Sequence, residues 1–155
     1  MKLSNKIEQL EKELERLKKL EKEKLVQYKP EIGDEYWFIN SDGYVTCLEW
    51  EYDFFGQRIY EIGNTYRTKE EAEFVVEKIR TEAELRRFSK PFKIGESNYH
   101  ISLDKEENIL NISSMRVFQS QGTIYFGSEE NAKEAVHAVG ERRIRKYIFG
   151  SVYDD

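Results

Sequence analysis

The stretch Gly63–Ile79, GNTYRTKEEAEFVVEKI, carries a strong helix signal, which is a capping box followed by an apolar stripe. Thr68 and Glu71 form the pattern T-x-x-E, in which the threonine hydroxyl accepts from a backbone N–H three residues on and the glutamate reaches back. The stretch therefore predicts an amphipathic helix that begins after Thr68. Its apolar positions have the three-and-four spacing of one buried face, and they are Ala72, Val75, Val76 and Ile79.

The same pattern occurs again about sixty residues later in the chain. The segments before the two helices are also similar, because Gly63–Tyr66 and Gly122–Phe126 both lead through aromatic residues to a Ser or Thr followed by acidic residues. We interpret the chain as two copies of one strand-then-helix unit, which predicts a compact pseudo-symmetric domain, since a solenoid needs more than two repeats. The aligned helical positions are Thr68 with Ser128, Ala72 with Ala132, Val75 with Ala135, Val76 with Val136 and Ile79 with Val139.

Short aromatic and β-branched segments around these helices predict antiparallel strands. Tyr36–Ile39 and Tyr44–Trp50 flank the turn sequence Asn40–Gly43, which predicts a hairpin. Asp53–Gln57 is predicted to be a loop, and Gly140 is predicted to end the second repeat helix. The other predicted elements are strands at Arg58–Ile62, Asn98–Leu103, Ile109–Ile112, Arg116–Phe118 and Thr123–Phe126, and a last helix at Glu141–Phe149.

The N-terminal segment predicts a helix over residues 3–25 with a short heptad repeat. In a parallel pair of identical helices, Lys6 would face Glu11 and Glu13 would face Lys18, and both contacts are attractive. Self-association is therefore expected, and the alternative is a single amphipathic helix lying against its own domain. The heptad residues, which alternate by four and three, are Leu3, Ile7, Leu10, Leu14 and Leu17.

These elements predict an α+β fold, with an N-terminal coiled-coil helix followed by a pseudo-duplicated strand-strand-strand-helix domain with antiparallel sheet. Pro30 and Gly33 mark the boundary between the two parts. The predicted domains are an N-terminal helix at 1–29, an α+β domain at 30–150 with halves at about 34–90 and 91–150, and a flexible tail at 151–155.

Composition excludes several classes of protein. The net charge of −5 gives no overall attraction to a phosphate backbone. The single cysteine, Cys47, excludes an internal disulfide and a cysteine zinc site. No apolar run approaches membrane-spanning length, and the N-terminus lacks a signal-peptide core, so the cytoplasm of the producing cell is the expected location.

Catalytic and metal sites have no recognisable pattern in this chain. His100 and His137 have no ligand-type partner at the spacing of a known metal motif. Cys47 lies in a predicted strand, where a small buried hydrophobe is commoner than a nucleophile. The glycines form no phosphate-binding loop. We therefore expect a protein that is not an enzyme and that holds no cofactor or metal.

Charge is distributed unevenly along the chain. Residues 1–29 carry a net charge of +3, whereas the remainder carries −8. Between Glu31 and Glu61 eight acidic residues are opposed only by Arg58. Carboxylates beside aromatic rings could imitate a nucleic-acid backbone or match a basic protein groove, and the alternative is a plain sheet with its aromatic side chains turned inward. The residues predicted to form this acidic–aromatic face are Glu49, Trp50, Glu51, Tyr52, Asp53, Phe54 and Phe55.

A basic cluster in the last predicted helix is the second candidate site. Its residues are candidate phosphate contacts, because Tyr147 and Phe149 lie beside them and a mixture of basic and aromatic side chains suits single strands or nucleotides. The alternative is that basic residues near a helix C-terminus stabilise the helix dipole. The cluster consists of Arg142, Arg143, Arg145 and Lys146.

Three segments of the chain bring a family resemblance with them: KPEIGDEYWFINSDGYV at 29–45, GNTYRTKEEAEFVVEKIRTEAELRRF at 63–88 and IYFGSEENAKEAVHAVGERRIRKYIFG at 124–150. Together they resemble a group of small, mostly uncharacterised proteins encoded by phages and prophages of Gram-positive bacteria. The resemblance covers roughly residues 29–150. It implies an accessory factor that binds and disables a host defence system, as anti-CRISPR proteins do, and it implies no enzymatic residue.

Two hypotheses of function follow. The first is a non-enzymatic phage protein that assembles as a homo-oligomer and blocks a host defence protein, most plausibly a CRISPR effector nuclease, through the acidic–aromatic face in the bacterial cytoplasm. The alternative is a nucleic-acid or signalling-nucleotide binding protein, such as a phage replication accessory or nucleotide-sequestering protein, which uses the basic cluster.

Overall fold

The computed structural model describes the backbone of residues 3–24 and 27–151 and the side chains of residues 3–19 and 27–151. The fold is α+β, with an N-terminal helix and two small antiparallel sheets. Packing divides the chain into two compact units, with the division after Glu73. The elements are α1 (Leu3–Lys24), β1 (Glu35–Ile39), β2 (Val45–Glu49), α2 (Phe54–Glu61), α3 (Lys69–Arg86), β3 (Asn98–Asp104), β4 (Ile109–Met115), α4 (Glu129–Val139), α5 (Glu141–Arg143) and a π-helical segment, Ile144–Ile148.

The helix predicted over residues 3–25 is confirmed for the residues that the structure describes, because α1 runs from Leu3 to Lys24. Residue 25, which the prediction included, lies outside them, as does most of the predicted tail at 151–155. The predicted halves, 34–90 and 91–150, were defined by the sequence repeat and not by packing, so this division of the α+β domain stays a prediction. The coiled coil and the pseudo-duplication also stay predictions.

The first unit is built on the predicted hairpin. β1 pairs with β2 in antiparallel register, with Tyr36 opposite Leu48 and Phe38 opposite Thr46. Alternation along β1 buries Tyr36 and Phe38 on one face. The Trp50 ring joins them, with its centroid 5.5 Å from that of Tyr36 in an edge-on arrangement. Three aromatic rings therefore form the core of this unit.

β1 is also bonded along its other edge, by residues that precede α3. The N–H of Trp37 donates to the carbonyl of Tyr66, and the N–H of Tyr66 donates back, each at 2.9 Å. The side-chain amide of Asn64 extends this pairing, because its oxygen accepts from the N–H of Ile39 and its nitrogen donates to the Ile39 carbonyl. β1 is thus an interior strand with hydrogen bonds on both sides.

The predicted loop at Asp53–Gln57 and the predicted strand at Arg58–Ile62 are wrong. These residues form α2, which starts because the carboxylate of Asp53 accepts from the N–H of Gly56 at 2.7 Å, an N-cap contact. Gly56 is required by packing, since a Cβ there would lie 2.9 Å from Cζ3 of Trp50. The aromatic and β-branched residues Ile59 and Tyr60 suggested a strand, but the cap and the contact with Trp50 favour a helix.

The capping box that begins α3 is confirmed, with a small difference in partner. The Thr68 hydroxyl accepts from the N–H of Glu71 at 3.2 Å, and the Glu71 carboxylate accepts from the N–H of Arg67. The predicted buried stripe is confirmed at Ala72 and Val76 but is wrong at Ile79, which is 53% exposed. The buried face of the helix continues through Thr81 and Leu85.

The second unit places α4 over a longer hairpin. β3 and β4 pair in antiparallel register, with Ile101 opposite Ile112 and Leu103 opposite Leu110. Ser128 caps α4 as predicted, because its hydroxyl accepts from the N–H of Asn131 at 3.0 Å. The core that joins these elements is apolar throughout, and its buried members are Leu85, Phe126, Ala132, Ala135, Val139 and Ile144.

Other strand predictions in this unit need correction. Arg116–Phe118 is an exposed segment and not a strand, while β4 continues beyond the predicted end to Met115. The predicted strand at Thr123–Phe126 reduces to bridges made by Phe126, which exchanges backbone hydrogen bonds with Tyr99. Gly140 does end α4, and its φ of 98° suits glycine. The last predicted helix begins at Glu141 but becomes π-helical from Ile144 to Ile148.

Candidate protein-binding site

The acidic–aromatic face predicted from the sequence lies where β2 ends and α2 begins. One of its predicted members does not belong to it: Trp50 is 2% exposed and packs in the core. The reason is that Trp50 follows the inward-facing side of β2 and makes backbone hydrogen bonds with Gly33 and Asp34 across the hairpin. The face therefore retains Glu49 and the run Glu51–Phe55.

Two aromatic rings of this face are displayed to solvent. Tyr52 is 61% exposed and Phe54 is 85% exposed. Tyr52 has a φ of +56°, a left-handed conformation that is uncommon for a residue with a large side chain. Such backbone conformations concentrate at functional sites, where surrounding structure holds them. The turn at Tyr52 therefore presents aromatic surface at an energetic cost, which is a reason to regard it as functional.

Asp53 and Phe55 of this run contribute to the fold. Asp53 caps α2 through its carboxylate, so part of its charge is directed at the helix N-terminus. The Phe55 ring packs edge-on against Phe38, with centroids 5.5 Å apart, and about half of it remains exposed. These contacts anchor the displayed rings of Tyr52 and Phe54 to the core of the first unit.

Glu49 and Glu51 supply the negative charge of the face. Both are exposed, and neither has an ion-pair partner among the side chains of residues 3–19 and 27–151. Glu35, which the sequence interpretation left out of the face, lies directly opposite Glu49 across the hairpin. Like charges in that position repel one another and destabilise a sheet. The three carboxylates therefore form a concentrated acidic surface whose charge the described part of the protein leaves uncompensated.

Apolar side chains are also exposed on the other face of β2 and at the hairpin turn. Tyr44 and Leu48 are both exposed, and neither is in the set from Glu49 to Phe55 that the sequence predicted as the acidic–aromatic face. Alternation along β2 places Leu48 and Glu49 on opposite faces of the sheet.

The predicted oligomerisation residues form an uncovered stripe on α1. Each side chain is between 50% and 77% exposed, and the set comprises Leu3, Ile7, Leu10, Leu14 and Leu17. An apolar stripe of this length on a polar helix is the pattern of a helix that packs against another helix. The alternative, in which the helix lies against its own domain, would bury these side chains.

The basic cluster is largely engaged within the second unit. Arg143 donates two hydrogen bonds to the carboxylate of Glu84, at 2.8 and 2.9 Å. This pairing holds the pKa of Glu84 below its usual value and raises the pKa of Arg143. Arg145 lies 3.5 Å from Glu141, and the ammonium of Lys146 lies over the ring of Tyr147. Arg142 is exposed and also has an interaction of its own, so each of the four basic side chains has a contact within the described structure.

The histidines and the cysteine do not form a catalytic arrangement among the described residues. His100 Nε2 lies 3.2 Å from the hydroxyl of Ser113, but Nδ1 of His100 is buried with no partner in the described chain. A serine–histidine pair needs a group that orients the second ring nitrogen. Burial, with a further contribution from Glu35, raises the pKa of the Cys47 thiol, which disfavours the nucleophilic thiolate. His137 lines an open groove of about 550 Å³ between α4 and β4.

Searches for other kinds of site give no further candidate. Within the described ranges, no cluster of three or more His, Cys, Asp or Glu side chains could hold a metal ion. None of the helices there is both long enough and apolar enough to cross a bilayer.

Comparison with known proteins adds no relative. No protein-family model, curated protein or solved structure matches this chain. Function is therefore inferred from the surface of the first unit.

Proposed function

We propose that this protein is a non-enzymatic binding protein whose acidic–aromatic face contacts a basic surface of a partner protein. The observation that carries this proposal is the exposure of Tyr52 and Phe54 in the same segment as Glu49 and Glu51, whose carboxylates have no ion-pair partner among the described side chains. Exposed aromatic side chains are typical anchors of protein interfaces. Complementary charge around them steers association and rejects wrong partners.

The partner in this proposal is a host defence protein, most plausibly a CRISPR effector nuclease in the cytoplasm of a Gram-positive bacterium. The resemblance to phage and prophage proteins supports this identity. Nucleases of this kind hold nucleic acid in positively charged channels. An acidic face with aromatic anchors has the chemistry to occupy such a channel and exclude the nucleic acid.

We further propose that the protein acts as a homo-oligomer assembled through α1. The exposed heptad stripe supports this, as do the attractive contacts expected of Lys6 with Glu11 and Glu13 with Lys18 in a parallel pair. Replacing Leu10 and Leu14 with Glu would place charges in the seam and yield monomers in light scattering. The exposed double change Glu8→Lys and Glu15→Lys is the matched control, and a mass unchanged by the leucine substitutions would contradict assembly through this seam.

The two units also have corresponding parts, which supports an origin by duplication. In each unit one aromatic residue exchanges backbone hydrogen bonds with the first strand of a hairpin and precedes a Ser/Thr-capped helix. These residues are Tyr66, which pairs with Trp37, and Phe126, which pairs with Tyr99. Sixty positions separate Tyr66 from Phe126, the same offset at which Thr68 aligns with Ser128. In this proposal the acidic–aromatic face is an elaboration of one copy.

Charge reversal on the face tests the proposed function. The double variant Glu49→Lys and Glu51→Lys leaves Asp53 in place, because the Asp53 carboxylate caps α2. The matched control is Glu106→Lys and Glu107→Lys, which changes the net charge equally at an exposed turn of the second unit. Tagged forms of the three proteins are used for capture from a Gram-positive host lysate, and captured proteins are quantified by mass spectrometry and then titrated directly.

The wild-type and control proteins should capture the same defence nuclease, and the double variant should lose it. Equal capture of the nuclease by all three proteins would show that the acidic–aromatic face is not the binding surface. Capture of nucleic acid by the wild-type protein, weakened steeply by added salt, would instead support the alternative hypothesis of a nucleic-acid or nucleotide binding protein.

A further inference from the structure

The outer edge of β2 is open in the described structure. The hydrogen bonds of β1 identify which backbone groups of β2 point away from β1. Trp37 of β1 uses both its N–H and its C=O to bond with Tyr66, which lies on the side of β1 away from β2. Trp37 is therefore not hydrogen-bonded to Cys47, the residue opposite it in β2. The backbone N–H and C=O groups of Cys47 must then point away from β1, and the alternation extends this to Val45 and Glu49.

No described residue pairs with these outward groups. In the described structure the sheet contains only β1 and β2. No hydrogen bond from the backbone of residues 3–24 and 27–151, or from the side chains of residues 3–19 and 27–151, reaches the outward backbone groups of Val45, Cys47 or Glu49. A row of unpaired N–H and C=O groups is a template for another strand. Proteins that bind peptides by strand addition use such an edge, with backbone hydrogen bonds for affinity and side-chain contacts for specificity.

Charge distinguishes this edge from that of the second hairpin. The same reasoning applied to Tyr99 and Phe126 assigns the outward groups of β4 to Leu110, Ile112 and Ser114. β4 contains no acidic residue. The β2 edge ends at Glu49, which lies opposite Glu35 and shortly before Glu51.

From these observations we propose that the β2 edge binds an extended, basic segment of the partner protein as an added β-strand. This inference rests on the proposed function and specifies its partner. The added strand would exchange backbone hydrogen bonds with Val45, Cys47 and Glu49. Its Lys or Arg side chains would lie next to Glu49, on the sheet face that also carries Glu35. The alternate side chains would be apolar, because they fall on the face that holds Leu48.

A synthetic peptide of alternating Lys and Val residues serves as the probe. The probe is a fluorescein-labelled Lys-Val-Lys-Val-Lys-Val-Lys peptide, whose binding is followed by fluorescence anisotropy. Two further peptides have the same charge but carry N-methyl groups on alternate backbone nitrogens, one on the lysines and one on the valines. Since only one set of nitrogens can face β2, one methylated peptide should bind at least about tenfold more weakly than the other.

Substitution at the edge gives an independent test. Cys47→Pro removes an outward N–H that the β1–β2 ladder does not use, and proline is tolerated on edge strands. Cys47→Ala keeps the N–H, and Ser114→Pro places the same change on the β4 edge. We expect Cys47→Pro to weaken peptide binding about tenfold or more relative to Cys47→Ala, and Ser114→Pro to bind as the wild-type protein does. Amide exchange of Tyr36 and Phe38 checks that the hairpin remains folded.

The outcomes separate this inference from the proposed function. In one outcome the double variant Glu49→Lys and Glu51→Lys loses peptide binding, while Cys47→Pro binds the peptide normally and both methylated peptides bind as the unmethylated one does. That outcome would support the acidic face as the binding surface and would overturn strand addition. No binding of the peptide to the wild-type protein would also overturn strand addition, while the capture experiment would still decide the proposed function. Sensitivity to methylation and to Cys47→Pro without sensitivity to charge reversal would support the edge and contradict the role of the carboxylates.

Discussion

The two hairpins of this protein begin from similar local architecture and differ in what surrounds them. In the second unit, the hairpin of β3 and β4 packs against α4, and the core is a continuous set of apolar residues. In the first unit, the core is a small group of aromatic rings, and the chain after β2 turns outward at Tyr52 before α2 begins. The second hairpin is used mainly to build a stable core. The first combines a core with a displayed acidic and aromatic surface.

The difference between the hairpins shows that a binding surface can be recognised by exposed features that lower folding stability. Glu35 opposite Glu49 is a repulsive pair, and Tyr52 occupies a left-handed conformation. Neither feature improves folding, and the second hairpin has no acidic pair in its strand register. Features that oppose stability while remaining exposed are expected where a surface is shaped for binding.

The largest expected effect contrasts a buried ring with a displayed one. Phe126→Ala should lower the free energy of unfolding by about 3–5 kcal/mol, because it removes a fully buried ring from the core of the second unit. Phe54→Ala should change it by less than about 0.5 kcal/mol, because that ring is exposed. Urea denaturation measures both values. A large loss in Phe54→Ala would mean that this ring belongs to the fold and not to a binding surface.

The next effect concerns the contact that positions α2. Gly56→Ala should cost about 1–3 kcal/mol, because the new methyl group would lie 2.9 Å from the Trp50 ring. Alanine is otherwise the better helix former, so a purely helical effect would be stabilising. Gly127→Ala is the matched control, since the nearest atom to its Cβ is 3.7 Å away on the flexible side chain of Lys90. Stabilisation by Gly56→Ala would contradict the close packing of α2 on Trp50.

A smaller, pH-dependent effect is expected from the ion pair of the second unit. Arg143 holds the pKa of Glu84 below its usual value, so the pair contributes stability above the unfolded-state pKa, near 4.5, and this contribution is lost as the pH falls through the folded-state pKa. Glu84→Gln should therefore lower stability at pH 7, by about 1 kcal/mol or less because the pair is one-third exposed. Denaturation at pH 7 and pH 3 measures the difference, which should shrink at pH 3, whereas a constant difference would exclude the ionic contribution.

The smallest effect tests the cost of the acidic surface itself. Glu35→Gln should raise the free energy of unfolding by about 0.2–1 kcal/mol, because it removes the repulsion with Glu49. The same change should weaken binding to the basic partner. Glu107→Gln, at an exposed turn, is the control for loss of one carboxylate. Unchanged or reduced stability in Glu35→Gln would remove the repulsive pair from the argument.

Local signals explain the parts of the fold that the sequence predicted well. The caps at Thr68 and Ser128, the turn glycine Gly43 and the helix end at Gly140 each act through their own neighbours, so their patterns can be recognised in isolation. The hairpin from Tyr36 onward was predicted for the same reason. Its aromatic strands and turn sequence lie within a few residues of each other.

The errors arose where contacts distant in sequence decide the structure. α2 was missed because its formation depends on the packing of Gly56 against Trp50, and Trp50 was placed on the surface because nothing local distinguishes its side of β2 from that of Glu49. The ion pair of Arg143 with Glu84 could not be predicted either, because Glu84 lies far away in the sequence. Pairing across the fold is not visible in the local pattern of either residue.

The most direct test of the central claim is hydrogen exchange of this protein, free and bound to its captured partner, followed by mass spectrometry. We expect binding to slow amide exchange in segment 45–55, which contains the outward N–H groups of β2 and the acidic–aromatic face. The exchange rate of segment 109–115 of β4 should not change. Protection confined to the second unit, with segment 45–55 exchanging as in the free protein, would contradict the assignment of the first hairpin as the binding surface.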